Sequence, residues 1–291
     1  MNLLTVYWDV DPVIFSLGRI DIRYYSLFFI IAFTIGYYIF KYFFKREQVP
    51  LKILDPLLYT LIIGTLVGAR LGHCLFYQPD YYLANPIEIL YVWEGGLASH
   101  GGAVALLLAM WWFAHHYGKK HHFSFLWIMD RLGIAVALAG FFIRMGNLMN
   151  SEIYGNETTM PWGFVFLRNG ELVPKHPTQL YEALSYLGLF ILLLFLYRKR
   201  LPRLKEGTLF GIFLLVLFAA RFFIEYIKEP QVPFEETMAL NMGQILSIPF
   251  IFAGAVLLLY SIMRGKPALR AVPKDKKPEK EPPLSSTRGT Y

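Results

Sequence analysis

The chain holds a single cysteine, Cys74, so no internal disulfide and no cysteine-rich metal cage can form within it. Cys74 lies in an apolar run with only His73 as a basic neighbour, and it reads as a small buried hydrophobe. Charged residues are also scarce, at 17% of the chain, where a soluble protein carries about a quarter. That excludes an ordinary water-facing surface. There is no P-loop, no dinucleotide glycine pattern and no HExxH pair, so neither a cofactor nor a metal is expected. The start, Met1 to Phe15, lacks a basic n-region and a cleavage site and carries Asp9 and Asp11, so no removable signal peptide is expected. Basic residues flank apolar runs rather than forming a patch of their own, which gives no nucleic-acid signal.

What the chain has in excess is apolar length. Of its 291 residues 56% are hydrophobic, concentrated in seven long runs. These place spans at about 24–40, 56–77, 97–117, 124–147, 178–197, 207–227 and 242–263. The runs are continuous rather than alternating, which argues against a transmembrane barrel. The expected fold is an all-α polytopic membrane protein, a seven-transmembrane-helix bundle. Lysine and arginine set its orientation. The segments 41–52, 118–123 and 198–206 and the tail after 263 hold nineteen of them, against five on the opposite side. By the positive-inside rule the N-terminus is outside and the C-terminus cytoplasmic.

Residues 1–23 read as an amphipathic lead-in at the outer surface, and 24–263 as the membrane domain. The tail, 264–291, is rich in Pro, Lys and Glu and is expected to be disordered. The largest insert, 148–177, is expected to form a small outer head. Within it Asn169-Gly170 separates Trp162–Leu167 from Leu172-Val173, a hairpin signal. The outer loop 78–95, with Tyr81, Tyr82 and Trp93, reads as re-entrant or interfacial. Polar interruptions do not recur at matching places in two halves, which disfavours a transporter built on repeats.

With this orientation the unusual polar groups gather at the outer ends of the spans. Tyr25 opens the first. Arg70 lies inside the second, and His100, between two glycine pairs, opens the third. Arg144 and Asn147 close the fourth, while Thr178, Gln179 and Glu182 open the fifth. Arg221 and Glu225 close the sixth, and Gln244 opens the seventh. A charge at a helix centre costs about 3 kcal/mol on insertion scales, so intramembrane arginines demand an explanation. Snorkelling or a structural ion pair accounts for one such residue. Two at the same side, with amides and carboxylates around them, favour an anionic ligand, and guanidinium grips phosphate in a fork. A phosphate that reaches a membrane cavity is a phospholipid headgroup. Arg221 and Glu225 are spaced to pair. His100 is open to two readings, a proton acceptor or a hydrogen bond between spans. The inner-side histidines at 115, 116, 121 and 122 read as a solvated basic loop, and Asp130-Arg131 as a local pair or snorkelling.

The stretch Arg144-Met-Gly-Asn-Leu-Met-Asn-Ser-Glu-Ile-Tyr-Gly155 resembles the signature of the prolipoprotein diacylglyceryl transferases. Asp11–Gly18, Gly68–Gly72, Trp93–Gly96, Ser99–Gly102, His176–Glu182 and Gly243–Pro249 are similar to that family in order and spacing, from about residue 9 to 264. The resemblance implies a bacterial inner-membrane enzyme, a seven-span bundle with a periplasmic head and its site towards that side. It implies transfer of the diacylglyceryl group of phosphatidylglycerol to the lipobox cysteine thiol of a preprolipoprotein, with release of glycerol phosphate. Carried over by motif, Arg144, Arg221 and His100 are the candidate catalytic residues, with Tyr25, Asn147, Glu152, Gly155 and Glu225 beside them. Asn147, Gln179 and Gln244 are candidates for orienting headgroup oxygens, and Glu152 and Glu225 for holding the arginines. The chain departs from the usual pattern at Ile143, Leu148, Leu217 and Lys228.

Overall fold

Long apolar runs can satisfy their backbone in lipid only as helices or closed barrels, and here they are helices. A computed structural model describes residues 5–18, 20–92, 95–230 and 238–268. In chain order the long helices are α1 (Tyr24–Arg46), α2 (Leu54–Phe76), α4 (Ser99–His121), α5 (Phe125–Met149), α6 (Thr178–Arg200), α7 (Thr208–Ile224) and α8 (Met242–Arg264). A short α3 (Pro79–Ala84) and a 3-10 turn (Pro86–Leu90) fill the loop after α2. Among the described residues, six of these helices are long and apolar enough to cross a membrane. The remaining long helix, α4, has 23 residues but carries two lysines and three histidines in its last seven positions, which lowers its hydropathy.

Helix α5 is the axis of the bundle. It packs against α1, α6 and α7, and the buried share of its span is the largest of the six. α7 packs on α8, and α2 on α4. The α2–α4 crossing is backbone to backbone. A Cβ added at Gly72 would lie 2.6 Å from the Gly101 Cα, so only a small residue permits that approach. Consecutive long helices alternate in direction, so the start of α1, the end of α5, the start of α6, the end of α7 and the start of α8 meet at one end.

The opposite end is closed by a buried charge network. Glu47 accepts from Arg131 Nη2 at 2.7 Å, Trp127 Nε1 at 2.8 Å and Tyr197 Oη at 2.7 Å. Asp130 caps α7 by accepting from the Gly207 and Phe210 amides. Arg131 and Asp130 do approach at 3.9 Å, but their main partners are on other helices, so neither snorkels.

The amphipathic lead-in, whose secondary structure the sequence left open, is β structure: β1 (Val6–Trp8), then a hairpin of β2 (Val13–Leu17) and β3 (Ile20–Arg23). The hairpin expected in the head is corrected. The head has one strand, β4 (Phe164–Phe166), which pairs parallel with β1 rather than with the segment after Asn169-Gly170. A single rung, Phe164 with Lys175, closes that loop. On its other side the returning segment is held by the Thr158 amide, which donates to the Pro174 carbonyl at 2.8 Å. Leu148, Phe164 and Phe166 form the small apolar core under the head. Trp93 and Glu94, and the basic tail beyond Ala268, lie outside the described residues.

Candidate active site

The end of α5 delivers Arg144 and Asn147 to one face, three residues apart. Arg144 Nη1 donates to Asn147 Oδ1 at 3.1 Å. Its Nε lies 3.0 Å from Glu182 Oε2, in the first turns of α6, and the Glu182 side chain is fully buried. Asn147 Nδ2 donates to Glu152 Oε1 at 2.7 Å, and the Glu152 carbonyl accepts from Gln179 Nε2 at 2.7 Å. Glu152 therefore holds Arg144 only through Asn147, and Glu182 is the direct holder. Tyr186, one turn beyond Glu182, is buried and lies in the field of both Arg144 and Arg221. Sequence reasoning did not single out Tyr186. Its signal was the i,i+4 spacing from Glu182 along a helix whose start already carried polar residues.

Arg221 is partly buried near the end of α7, close enough to act on the Tyr186 phenol as Arg144 does. The expected Arg221–Glu225 pair does not form. Glu225 caps α7 with its amide on the Arg221 carbonyl, so the backbone keeps the i,i+4 register, but its carboxylate points away from Arg221. Glu225 instead meets Lys228 Nζ at 3.1 Å, and the same ammonium lies 3.5 Å from Glu182. Gly243, at the start of α8, lies directly against the Glu225 carboxylate, with no room for a side chain. Among the described residues Arg221 has no carboxylate partner.

Tyr25 packs its ring on Gly146 and lies in the field of both Glu152 and Arg144. Gly155 is a crossing point. Its amide donates to the His176 carbonyl at 2.8 Å, and an added Cβ would strike the Ile227 carbonyl and lie 2.7 Å from Thr178 Cγ2. Gln244 is buried and committed to a capping box with Asn241 at the start of α8, so it does not present its amide to the arginines. Gln179 is buried with its Oε1 unpaired. His100 is exposed in the first turn of α4 and has no hydrogen bond or ion pair to the arginine cluster among the described residues. Arg70 is apart from the cluster too. It donates to the carbonyls of Glu88, Ile89 and Gly95 and lies over the Tyr82 ring, so it pins the loop after α2.

The head is tied to the end of α7 by Lys175, whose Nζ is 2.6 Å from Glu229 and 3.5 Å from Glu171. Partial burial pulls the Lys175 pKa down, but Glu229 and Glu171 outweigh it and hold it above the usual lysine value. Beside it, burial lowers the His176 imidazole below its ordinary pKa. Between α1, α2, α4 and α5 an apolar cavity of about 190 Å³ is lined by Phe29, Phe33, Gly36, Leu106 and Ile143, the residue preceding Arg144.

Residues 12–260 match the family model described as prolipoprotein diacylglyceryl transferase. The chain belongs to that family. It is 50% identical to the phosphatidylglycerol–prolipoprotein diacylglyceryl transferase of Tolumonas auensis over 88% of this chain and 97% of the relative. It is 46% identical to the enzyme of that name from Porphyromonas gingivalis, over 88% of this chain and 95% of the relative. The enzyme of that name from Chloroherpeton thalassium is 41% identical, over 90% and 96%. The family's transferase name and the apolar helices fit an integral membrane enzyme of bacteria. The two departures from the usual pattern that fall in the site are both absorbed. Ile143 lines the apolar cavity, and Lys228 carries its charge to Glu182 and Glu225.

Proposed function

We propose that this protein transfers the diacylglyceryl group of phosphatidylglycerol to the lipobox cysteine thiol of a preprolipoprotein and releases glycerol phosphate. The observation that carries this reading is the pair of guanidiniums from α5 and α7 that both act on the Tyr186 phenol, with Arg221 free of any carboxylate among the described residues. An uncompensated guanidinium beside lipid is costly unless an anion completes it. Family membership supplies the reaction class, and the apolar cavity beginning at Ile143 suits an acyl chain beside the headgroup.

The thiol loses its proton, and the sulfur attacks the glycerol carbon bonded to the headgroup phosphate. The carbon–oxygen bond breaks, its electron pair stays with the phosphate, and glycerol phosphate leaves with one more negative charge. Cations fixed beforehand stabilise that developing charge more than the ground state. Arg144, held by Glu182 and Asn147, and Arg221 serve this role. Asn147, Gln179 and Tyr25 shape the headgroup pocket, while Glu152, Glu225, Gly155 and Gln244 hold its walls. His100 is the candidate proton acceptor, reached through the bound peptide rather than by direct contact with the arginines.

The topology that suits this reaction has seven spans, α4 included, with the N-terminus and the head of 148–177 outside and the basic end cytoplasmic. The site then faces the periplasmic half of the inner membrane, where an exported peptide arrives. The test uses purified protein with phosphatidylglycerol and a lipobox peptide. A thioether adduct by mass spectrometry, absent in Arg221→Ala, is expected. Saturable movement of an anion across vesicles without an adduct would replace the enzyme reading with a transporter.

A further inference from the structure

At the end of the bundle away from the arginine site, the last turns of α1 and α6 flank a cleft of about 610 Å³. Its rim is Arg46, Arg198 and Lys199, and its apolar wall includes Ile191, Leu194 and Phe195. No carboxylate lines it. The neighbouring carboxylate, Glu47, is turned inward and taken by Arg131, Trp127 and Tyr197. Among the described residues none of the three rim cations has an ion-pair partner.

Arg46 is also oriented. Its guanidinium lies over the Tyr197 ring, 5.1 Å from the centroid. Nη1 donates to Tyr42 Oη at 2.9 Å and Nη2 to the Arg198 carbonyl at 2.9 Å. Two of its five N–H donors are used, and the rest remain for a ligand. A cation at a helix C-terminus is favoured by the helix dipole alone, but that accounts for Arg46 through its carbonyl contact and leaves Arg198 and Lys199 without an acceptor. Three unpaired cations at the edge of a membrane span, directly above exposed apolar side chains, combine a phosphate grip with an acyl-chain wall.

We propose that this cleft binds an anionic glycerophospholipid, with its phosphate on Arg46, Arg198 and Lys199 and an acyl chain along Ile191, Leu194 and Phe195. Basic pockets between spans recognise anionic headgroups in this way. The site is separate from the catalytic cluster and does not depend on the reaction assigned there.

The test is lipid binding to the full-length protein in neutral detergent, read by native mass spectrometry. The probes are phosphatidylglycerol, phosphatidylcholine and inorganic phosphate, and the variant is Arg198→Gln/Lys199→Gln, in which both changed side chains are exposed. Wild type is expected to hold one more phosphatidylglycerol than the variant, whose affinity at this site falls roughly thirtyfold. Diacylglyceryl transfer should be unchanged in the variant. Equal phosphatidylglycerol occupancy in both proteins would overturn the proposal. So would equal retention of phosphatidylcholine by wild type, which would make the cleft a non-selective apolar surface. Displacement of the lipid by millimolar inorganic phosphate would overturn the lipid assignment and leave a free-anion site.

Discussion

Arg144 Nε and Glu182 Oε2 lie 3.0 Å apart, joining the end of α5 to the start of α6 in a place where Glu182 is fully buried. The same carboxylate is 3.5 Å from Lys228 after α7, so one glutamate fixes cations from two other elements. Glu182→Gln keeps the shape and removes the charge. It leaves Arg144 without its carboxylate while Lys228 keeps Glu225, and breaking a buried pair from one side costs about 3–5 kcal/mol. Melting temperature should fall. Transfer rate should fall by about a hundredfold as Arg144 loses its aim. A thermal melt and an initial-rate assay on the purified variant check both.

Arg221 should behave in the opposite way. Without a carboxylate partner among the described residues, it contributes little to the fold, and its charge is available to a ligand. Arg221→Ala should cost about 10²–10³ in kcat, the scale of a lost oxyanion donor. Its melting temperature should stay near wild type. Arg221→Lys should recover little activity, because an ammonium is a point charge and not a fork. An alanine variant with near-normal turnover would remove Arg221 from the phosphate site.

These two arginines show how far the chain could be read from sequence. Apolar run length and loop charge located the helices and the end at which polar groups gather, because both follow from the cost of burying charge in lipid. The partners of those charges were less legible. Arg221 and Glu225 had the spacing of a helical pair and keep that register in the backbone, but the carboxylate turns to Lys228. Tyr186 was hidden because a tyrosine in an apolar helix is common, and only the fold brings it into the field of both guanidiniums. The head was misread for a similar reason. Asn169-Gly170 makes its turn, with Gly170 at φ +75°, but β4 is covered by a strand from the other end of the chain.

Gly155 tests the join between head and membrane domain. A methyl group there would meet the Ile227 carbonyl, Thr178 Cγ2 at 2.7 Å and His176 Cβ at 2.9 Å. Two of these neighbours are backbone-anchored and cannot swing away. Gly155→Ala should therefore destabilise by about 1–3 kcal/mol, as overpacking does, and lower activity with it. A melt showing full stability together with lost activity would assign Gly155 to substrate contact instead.

His176 gives a pH dependence with a defined sign. Burial lowers its pKa in the folded protein, and its Nδ1 lies 3.2 Å from Tyr181 Oη. The unfolded chain then takes up the proton first as pH falls. Stability is full above the unfolded value of about 6.5 and declines as pH drops through the folded value. His176→Gln should flatten the fall in melting temperature between about pH 7 and pH 5. An unchanged slope would mean that other groups carry it.

His100 separates a chemical role from a structural one. It stands exposed at the start of α4, beside the Gly101 crossing with α2, and has no hydrogen bond to the arginine cluster among the described residues. An imidazole accepts a thiol proton only when neutral. If it is the acceptor, kcat/KM for the peptide should show a rising acid limb in wild type. His100→Asn should lose that limb and about 10²–10⁴ in rate, the range of general-base catalysis. The glycine crossing should survive, since it depends on the backbone of Gly72 and Gly101 and not on the ring, so the variant's melt should match wild type. A variant that keeps both the rate and the rising limb would leave the thiol's deprotonation to the field of Arg144 and Arg221, which lowers a thiol pKa without any base.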